Sequence, residues 1–152
     1  MEAFFANHGY LMLFLVSFLA ATLLPLGSEW LLAAMLLQDF APLPVIAVAT
    51  LGNTLGACTT YLIGLYGGPF LIRKLLRINE PAQQRAERFF QKYGVWALLF
   101  SWLPVVGDPL CLAGGLFRVP FSRFSLLVFI GKLGRYATLA VFVLGGMQVI
   151  SG

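Results

Sequence analysis

The residues of this 152-residue chain that could do chemistry stand where an ionisable group is hardest to place. Glu29 lies in LPLGSEW (residues 24–30) and Asp108 in LPVVGDPL (103–110). Each is a carboxylate inside an apolar run, four residues after the proline of a Leu-Pro pair. Lys132 and Arg135 lie in GKLGRY, inside another apolar run. A charge near the bilayer centre costs at least about 2.5–3.5 kcal/mol, so such residues face the protein interior, take a partner and mark pathways. Three positions apart, Lys132 and Arg135 share a helix face and are the counter-ions expected for the two acids. The chemistry they would support is capture of an anionic headgroup by Lys132 and Arg135. Asn53 stands at the place aligned with Lys132 and joins that set, while Glu29 and Asp108 exchange protons as the site changes access. The plainer alternative is structural ion pairing that only locks segments together.

Composition sets the solvent. The chain is 60% hydrophobic and 11% charged, with a mean hydropathy of +0.89. Soluble domains carry about 25% charged residues, so this chain reads as an integral membrane protein in one compact domain, 1–152. The net charge of +4 is no nucleic-acid signal, because the basic residues flank or enter apolar segments. Cys58 and Cys111 read as small buried thiols. His8 reads as an interfacial or solvated side chain. The first residues lack a positive n-region and a small-residue cleavage site, so the N-terminus is expected to be retained. No cofactor or metal is expected. Ser28 and Ser101 lack an identifiable base, and neither a His-Glu-x-x-His nor a G-x-S-x-G pattern occurs, so an enzyme is not expected.

The expected fold is all-α. Apolar stretches run from about residues 44 to 70 and 124 to 150, long enough to span. Two others, about 10–38 and 95–117, are broken at Pro25 and Gly27 and at Pro104, Gly107 and Pro109, which suits kinked spanning helices or re-entrant hairpins. Arg73, Lys74, Arg77, Arg85, Arg88 and Lys92 fall between the second and third stretches, and Arg118 and Arg123 follow the third. The positive-inside rule puts both groups in the cytoplasm. A third stretch that returns to its own side satisfies this, as a re-entrant hairpin does. Within the linker, Ala82, Ala86, Phe89, Phe90 and Tyr93 make one apolar helix face, with Asn79 and Pro81 at its start. It reads as an amphipathic helix on the inner membrane surface with its cations near anionic headgroups, or as a basic linker that sets orientation.

Shifting the second half back by 79 residues superimposes Leu24-Pro25 on Leu103-Pro104, Glu29 on Asp108 and Gly52 on Gly131. Each half then contains a broken hairpin and one spanning helix: repeat 1 about 10–70, the linker 71–93, repeat 2 about 94–150. One crossing per half inverts the second copy, the pattern of transporter sites near the bilayer midplane. Gly52, Gly56, Gly131 and Gly134 are expected at close helix contacts.

The motifs LLPLGSE, GNTLG, YGVWALLFSWLPVVGDPLCLAGG and GKLGRY resemble the DedA family, also called SNARE-associated or VTT-domain membrane proteins, and in particular its small YqaA branch. The resemblance implies two re-entrant hairpins among spanning helices in a bacterial inner membrane. It also implies a role in lipid homeostasis, as a flippase or scramblase of polyprenyl-phosphate carriers or phospholipids, in some members linked to proton-motive force. The hairpin acids carry over to Glu29 and Asp108. The family pattern Arg-Phe-x-Pro-x-x-Arg is here Ser101-Trp102-Leu103-Pro104-Val105-Val106-Gly107, without either arginine. Where those arginines bind phosphate, Lys132 and Arg135 would have to compensate. The partners expected are membrane lipids with anionic headgroups, protons and a second copy of the chain. The competing expectation is a non-transporting scaffold or assembly factor.

Overall fold

The computed structural model describes residues 2–22, 28–67, 79–103 and 106–152, with side chains from His8 onward. Pro25, Gly27, Pro104, Arg73, Lys74 and Arg77 lie outside the described residues. The described chain is helical throughout: α1 (Glu2–Ala20), α2 (Ser28–Leu37), α3 (Pro42–Tyr66), α4 (Glu80–Tyr93), a 3₁₀ segment (Gly94–Trp102), α5 (Gly107–Leu116) and α6 (Phe121–Ser151). Helices α3 and α6, with 25 and 31 residues, are long and apolar enough to cross a membrane. At 1.5 Å per residue both exceed a hydrocarbon core of about 30 Å.

Several boundaries follow from single residues. Pro42 opens α3 at a position where its missing N–H is no loss. Asn79 caps α4, its side-chain oxygen accepting from the Ala82 N–H at 2.9 Å. Two features go beyond the sequence pattern. Helix α1 begins at Glu2, well before the apolar stretch does, because nothing in its first turns breaks a helix. The arm before the second break is a 3₁₀ coil of nine residues rather than an α-helix. Rising about 2.0 Å per residue, it covers roughly 18 Å.

The 79-residue offset reappears in the backbone. Helices α2 and α5 start at Ser28 and Gly107 and end at Leu37 and Leu116. Helices α3 and α6 start at Pro42 and Phe121. Among the described non-glycine residues, positive φ occurs at Asp39 (63°) and Arg118 (54°), again 79 apart. Each follows a short helix whose last carbonyls are taken up by the turn: Phe40 N–H reaches Met35 O at 3.1 Å, and Val119 N–H reaches Gly114 O at 3.0 Å. A left-handed residue after the last turn is the usual way to satisfy orphan carbonyls, although glycine normally supplies it.

Packing has the same twofold character. Helix α1 lies on α3 and the 3₁₀ segment on α6. Helix α2 crosses over to α6 and α5 to α3, while α3 and α6 touch each other. Close approach is possible because a Cβ on Gly52 would meet Phe14 O at 2.6 Å, and one on Gly131 would meet Leu99 O at 2.9 Å. Gly134 departs from expectation: it has open space around it and lies on a cleft rather than at a helix contact. Among the described residues two main apolar cores result. One joins Leu13, Leu32, Met35, Tyr136 and Ala140. The other joins Tyr61, Leu110, Cys111 and Phe124 with Ala86 and Phe90 of α4. The apolar face of α4 therefore docks on the protein, leaving Arg85, Arg88 and Lys92 exposed on its far side.

Candidate functional site

Each acid occupies the first turn of a short helix, Glu29 in α2 and Asp108 in α5. A carboxylate there complements the positive end of the helix dipole. Both helices bring their acid to α6. The Arg135 guanidinium donates through Nη2 to Glu29 Oε1, a charge-assisted hydrogen bond. Lys132 Nζ lies 3.8 Å from Asp108 Oδ1. The sequence grouped these four residues, and the structure brings them together as two separate pairs.

The pairs differ in surroundings. Arg135 and Glu29 are both about one-fifth exposed, at 22% and 23%. They sit on the wall of an open cleft of about 670 Å³, whose lining includes Gly131, Gly134, Trp102 and Phe142. That volume falls within the usual range for a small-molecule site, and an apolar wall with a few converging polar groups is the usual composition. Lys132 is 2% exposed, whereas Asp108 is 37% exposed, and neither lines this cleft. Their separation exceeds a direct N–H···O bond.

Asn53 is buried on α3, where its Nδ2 donates to Ser17 O at 3.0 Å. Its amide N–H is thereby committed to α1, away from the cleft lining. Gly107 packs against the Ser101 carbonyl so closely that a side chain at 107 has no room. An arginine could not stand there in this packing. Pro109 is buried behind Asp108.

Hydropathy missed a polar interior. The Tyr136 hydroxyl and Ser28 Oγ are hydrogen-bonded at 2.8 Å in the core, and Tyr136 is fully buried. Ser17, Thr50, Thr54 and Ser101 are buried with hydroxyls that lack a hydrogen-bond partner among the described residues, as does Asn53 Oδ1. Leaving such a group unsatisfied costs about 1–3 kcal/mol. Part of the signal was visible, because Tyr136 directly follows Arg135 and stands one helical turn beyond Lys132.

Broken apolar helices carrying paired acids and bases against a long spanning-length helix define a class, the helical membrane proteins with a polar interior. Residues 24–145 match the VTT domain, and the chain belongs to the VTT-domain (DedA) family of membrane proteins. It is similar to the inner membrane protein YqaA of Escherichia coli, with 40% identity over 137 residues, covering 90% of this chain and 92% of that one. An uncharacterized protein of Haemophilus influenzae is 39% identical over 138 residues, covering 84% of this chain and 82% of its own length. Undecaprenyl phosphate transporter A of Bacillus subtilis is 37% identical over 87 residues, covering 54% of this chain and 43% of the transporter. No solved structure matches the chain.

Proposed function

We propose that this protein moves lipids with an anionic headgroup, polyprenyl phosphate or phospholipid, across the bacterial inner membrane. The observation that carries the reading is the Arg135–Glu29 pair on the wall of the 670 Å³ cleft. A guanidinium offers a planar fork that suits phosphate as well as carboxylate. A headgroup entering the cleft competes with Glu29 for Arg135. A proton on Glu29 weakens its hold on the guanidinium and favours the headgroup. Gly134 leaves the α6 backbone uncovered along that path, and Trp102 and Phe142 flank it for the lipid chains. Under the same reading Asp108 is the second proton-linked acid, and the resemblance to a transporter of undecaprenyl phosphate supports the substrate class.

The repeat fits this function. With α3 and α6 crossing and the two broken segments re-entering from opposite faces, the halves form an inverted pair. The exposed Arg85, Arg88 and Lys92 then face the cytoplasm with Arg118 and Arg123.

One observation favours a purely structural role for part of the site. Lys132 is almost completely buried against Asp108, as expected for a lock between α5 and α6. Lipid movement in liposomes separates the readings, comparing the unmodified protein with Glu29→Gln and Asp108→Asn, each verified as folded. Transport predicts a loss in Glu29→Gln of at least tenfold. Unchanged movement in both variants refutes a role for the acids.

A further inference from the structure

The buried polar groups that the ion pairs do not use form a pattern. Elsewhere in the molecule, hydroxyls inside helices satisfy themselves by bonding back one turn: Thr59 to Leu55 O, Thr60 to Gly56 O and Thr138 to Gly134 O. Thr50 and Thr54, both buried on α3, do not. They stand on either side of Asn53, whose Oδ1 is likewise without a partner among the described residues. Asn53 holds the backbone of Ser17 on α1. The Ser17 side chain faces the Tyr136 hydroxyl. Tyr136 in turn bonds Ser28, the neighbour of Glu29 in the chain.

One turn back along α6 stands a buried cation. Lys132 is 98% buried, carries three N–H donors, and has its carboxylate partner at 3.8 Å, beyond a direct hydrogen bond. Ser101 Oγ, buried and unpartnered among the described residues, lies against Gly131 next to it. Lys132 and Tyr136 are one helical turn apart on the same face, about 6 Å along the axis, a gap that one or two water molecules close. Lipid cannot satisfy these groups, and a contact beyond about 3.5 Å between polar groups is the usual place for a bridging water.

We propose that the interior of the bundle holds a file of water molecules. It is ligated by Thr50, Asn53, Thr54, Ser17 and Ser101, and it joins the Lys132–Asp108 pair to Glu29–Arg135 through Tyr136 and Ser28. The charged groups at its ends are Asp108 from α5, Glu29 from α2, and Lys132 and Arg135 from α6. The faces that α1, α3 and the 3₁₀ segment turn toward it contribute hydroxyls and one amide. Its role is to carry protons between the two acids. That role rests on the proton-linked reading above, whereas the water itself does not.

The sign of a stability change tests for the water. In a dry core, replacing Thr50 or Thr54 by the isosteric valine removes an unsatisfied hydroxyl and raises Tm. In a hydrated core it removes a ligand of bound water and lowers Tm. A fall in Thr50→Val and Thr54→Val, measured on the full-length protein in detergent, is the expected result. An unchanged or raised Tm in both overturns the proposal. Radiolytic labelling in ¹⁸O-water supplies a second readout, with Tyr136 expected to incorporate ¹⁸O although its side chain is out of reach of bulk solvent. Absence of label at Tyr136 counts against the file. The relay is then tested in liposomes with a pH gradient. Tyr136→Phe should lose at least tenfold of the gradient-dependent lipid movement and keep the gradient-independent part. Loss of neither in a folded variant overturns the relay, while absence of any lipid movement by the unmodified protein refutes the transport reading and leaves the water judged by Tm and labelling.

Discussion

Replacing Asp108 by asparagine should destabilise the protein more than replacing its partner, and the reason lies in the asymmetry of the pair. Lys132 is 2% exposed and Asp108 37% exposed, with 3.8 Å between charges. At that distance the attraction is about 1 kcal/mol in water and about 4 kcal/mol at an effective dielectric of 20. The exposed carboxylate places the pair in the lower half of that range. Asp108→Asn also strands an ammonium that bulk solvent scarcely reaches. Stranding one member of a fully buried pair costs about 3–5 kcal/mol. With allowance for the solvent near Asp108, the expected loss is about 2–3 kcal/mol. For a chain of this size that lowers Tm by roughly 4–12 °C. Lys132→Met leaves a carboxylate that still reaches solvent and fills the methylene space, so its cost should stay within about 1 kcal/mol. The double variant should recover most of the loss, giving a coupling of about 1–2 kcal/mol. Thermal unfolding in detergent of the four proteins measures all of this. A Lys132→Met variant less stable than Asp108→Asn, or a double variant equal to the sum of the singles, would refute the reasoning.

Other expectations follow from packing. Gly56→Ala should disrupt the α1–α3 contact, because its Cβ would meet Ala21 Cβ at 2.7 Å, whereas Gly145→Ala has open space. Tm should fall in the first and hold or rise by the equivalent of about 0.5–1 kcal/mol in the second. Tyr61→Phe removes the buried hydrogen bond to Val119 O at 2.5 Å, which fixes the turn after α5, and should cost about 1–2 kcal/mol by the same measurement. Gly134→Phe projects into the cleft. It should leave Tm within a few degrees of the unmodified protein and reduce lipid movement in liposomes at least tenfold.

Much of the fold was legible because its determinants are local. Apolar length marked α3 and α6, and Asn79 marked the start of α4. The 79-residue offset showed first as the Leu-Pro and acid spacing, and then as shared helix limits and the paired left-handed residues Asp39 and Arg118. The 3₁₀ form of Gly94–Trp102 left no signature, since its apolar run would serve either kind of helix. In the site, the four charges were readable because hydropathy makes them conspicuous. Which acid takes which base was not, since that depends on how α2 and α5 cross α6. The polar roles of Tyr136, Ser17 and Ser101 were not assigned for a different reason: in a chain this apolar, a tyrosine counts as packing and a serine as a common helix residue.

Binding of an anionic lipid at Arg135 in the cleft is accessible to photocrosslinking. A photoreactive residue at Thr138, on the cleft wall, should label a phosphate-headed lipid in liposomes. The same probe at Leu62, exposed on α3 and outside the cleft lining, gives the background. Strong labelling at 138 should fall to the level at 62 in Arg135→Gln. Equal labelling at 138 with and without Arg135 would contradict it.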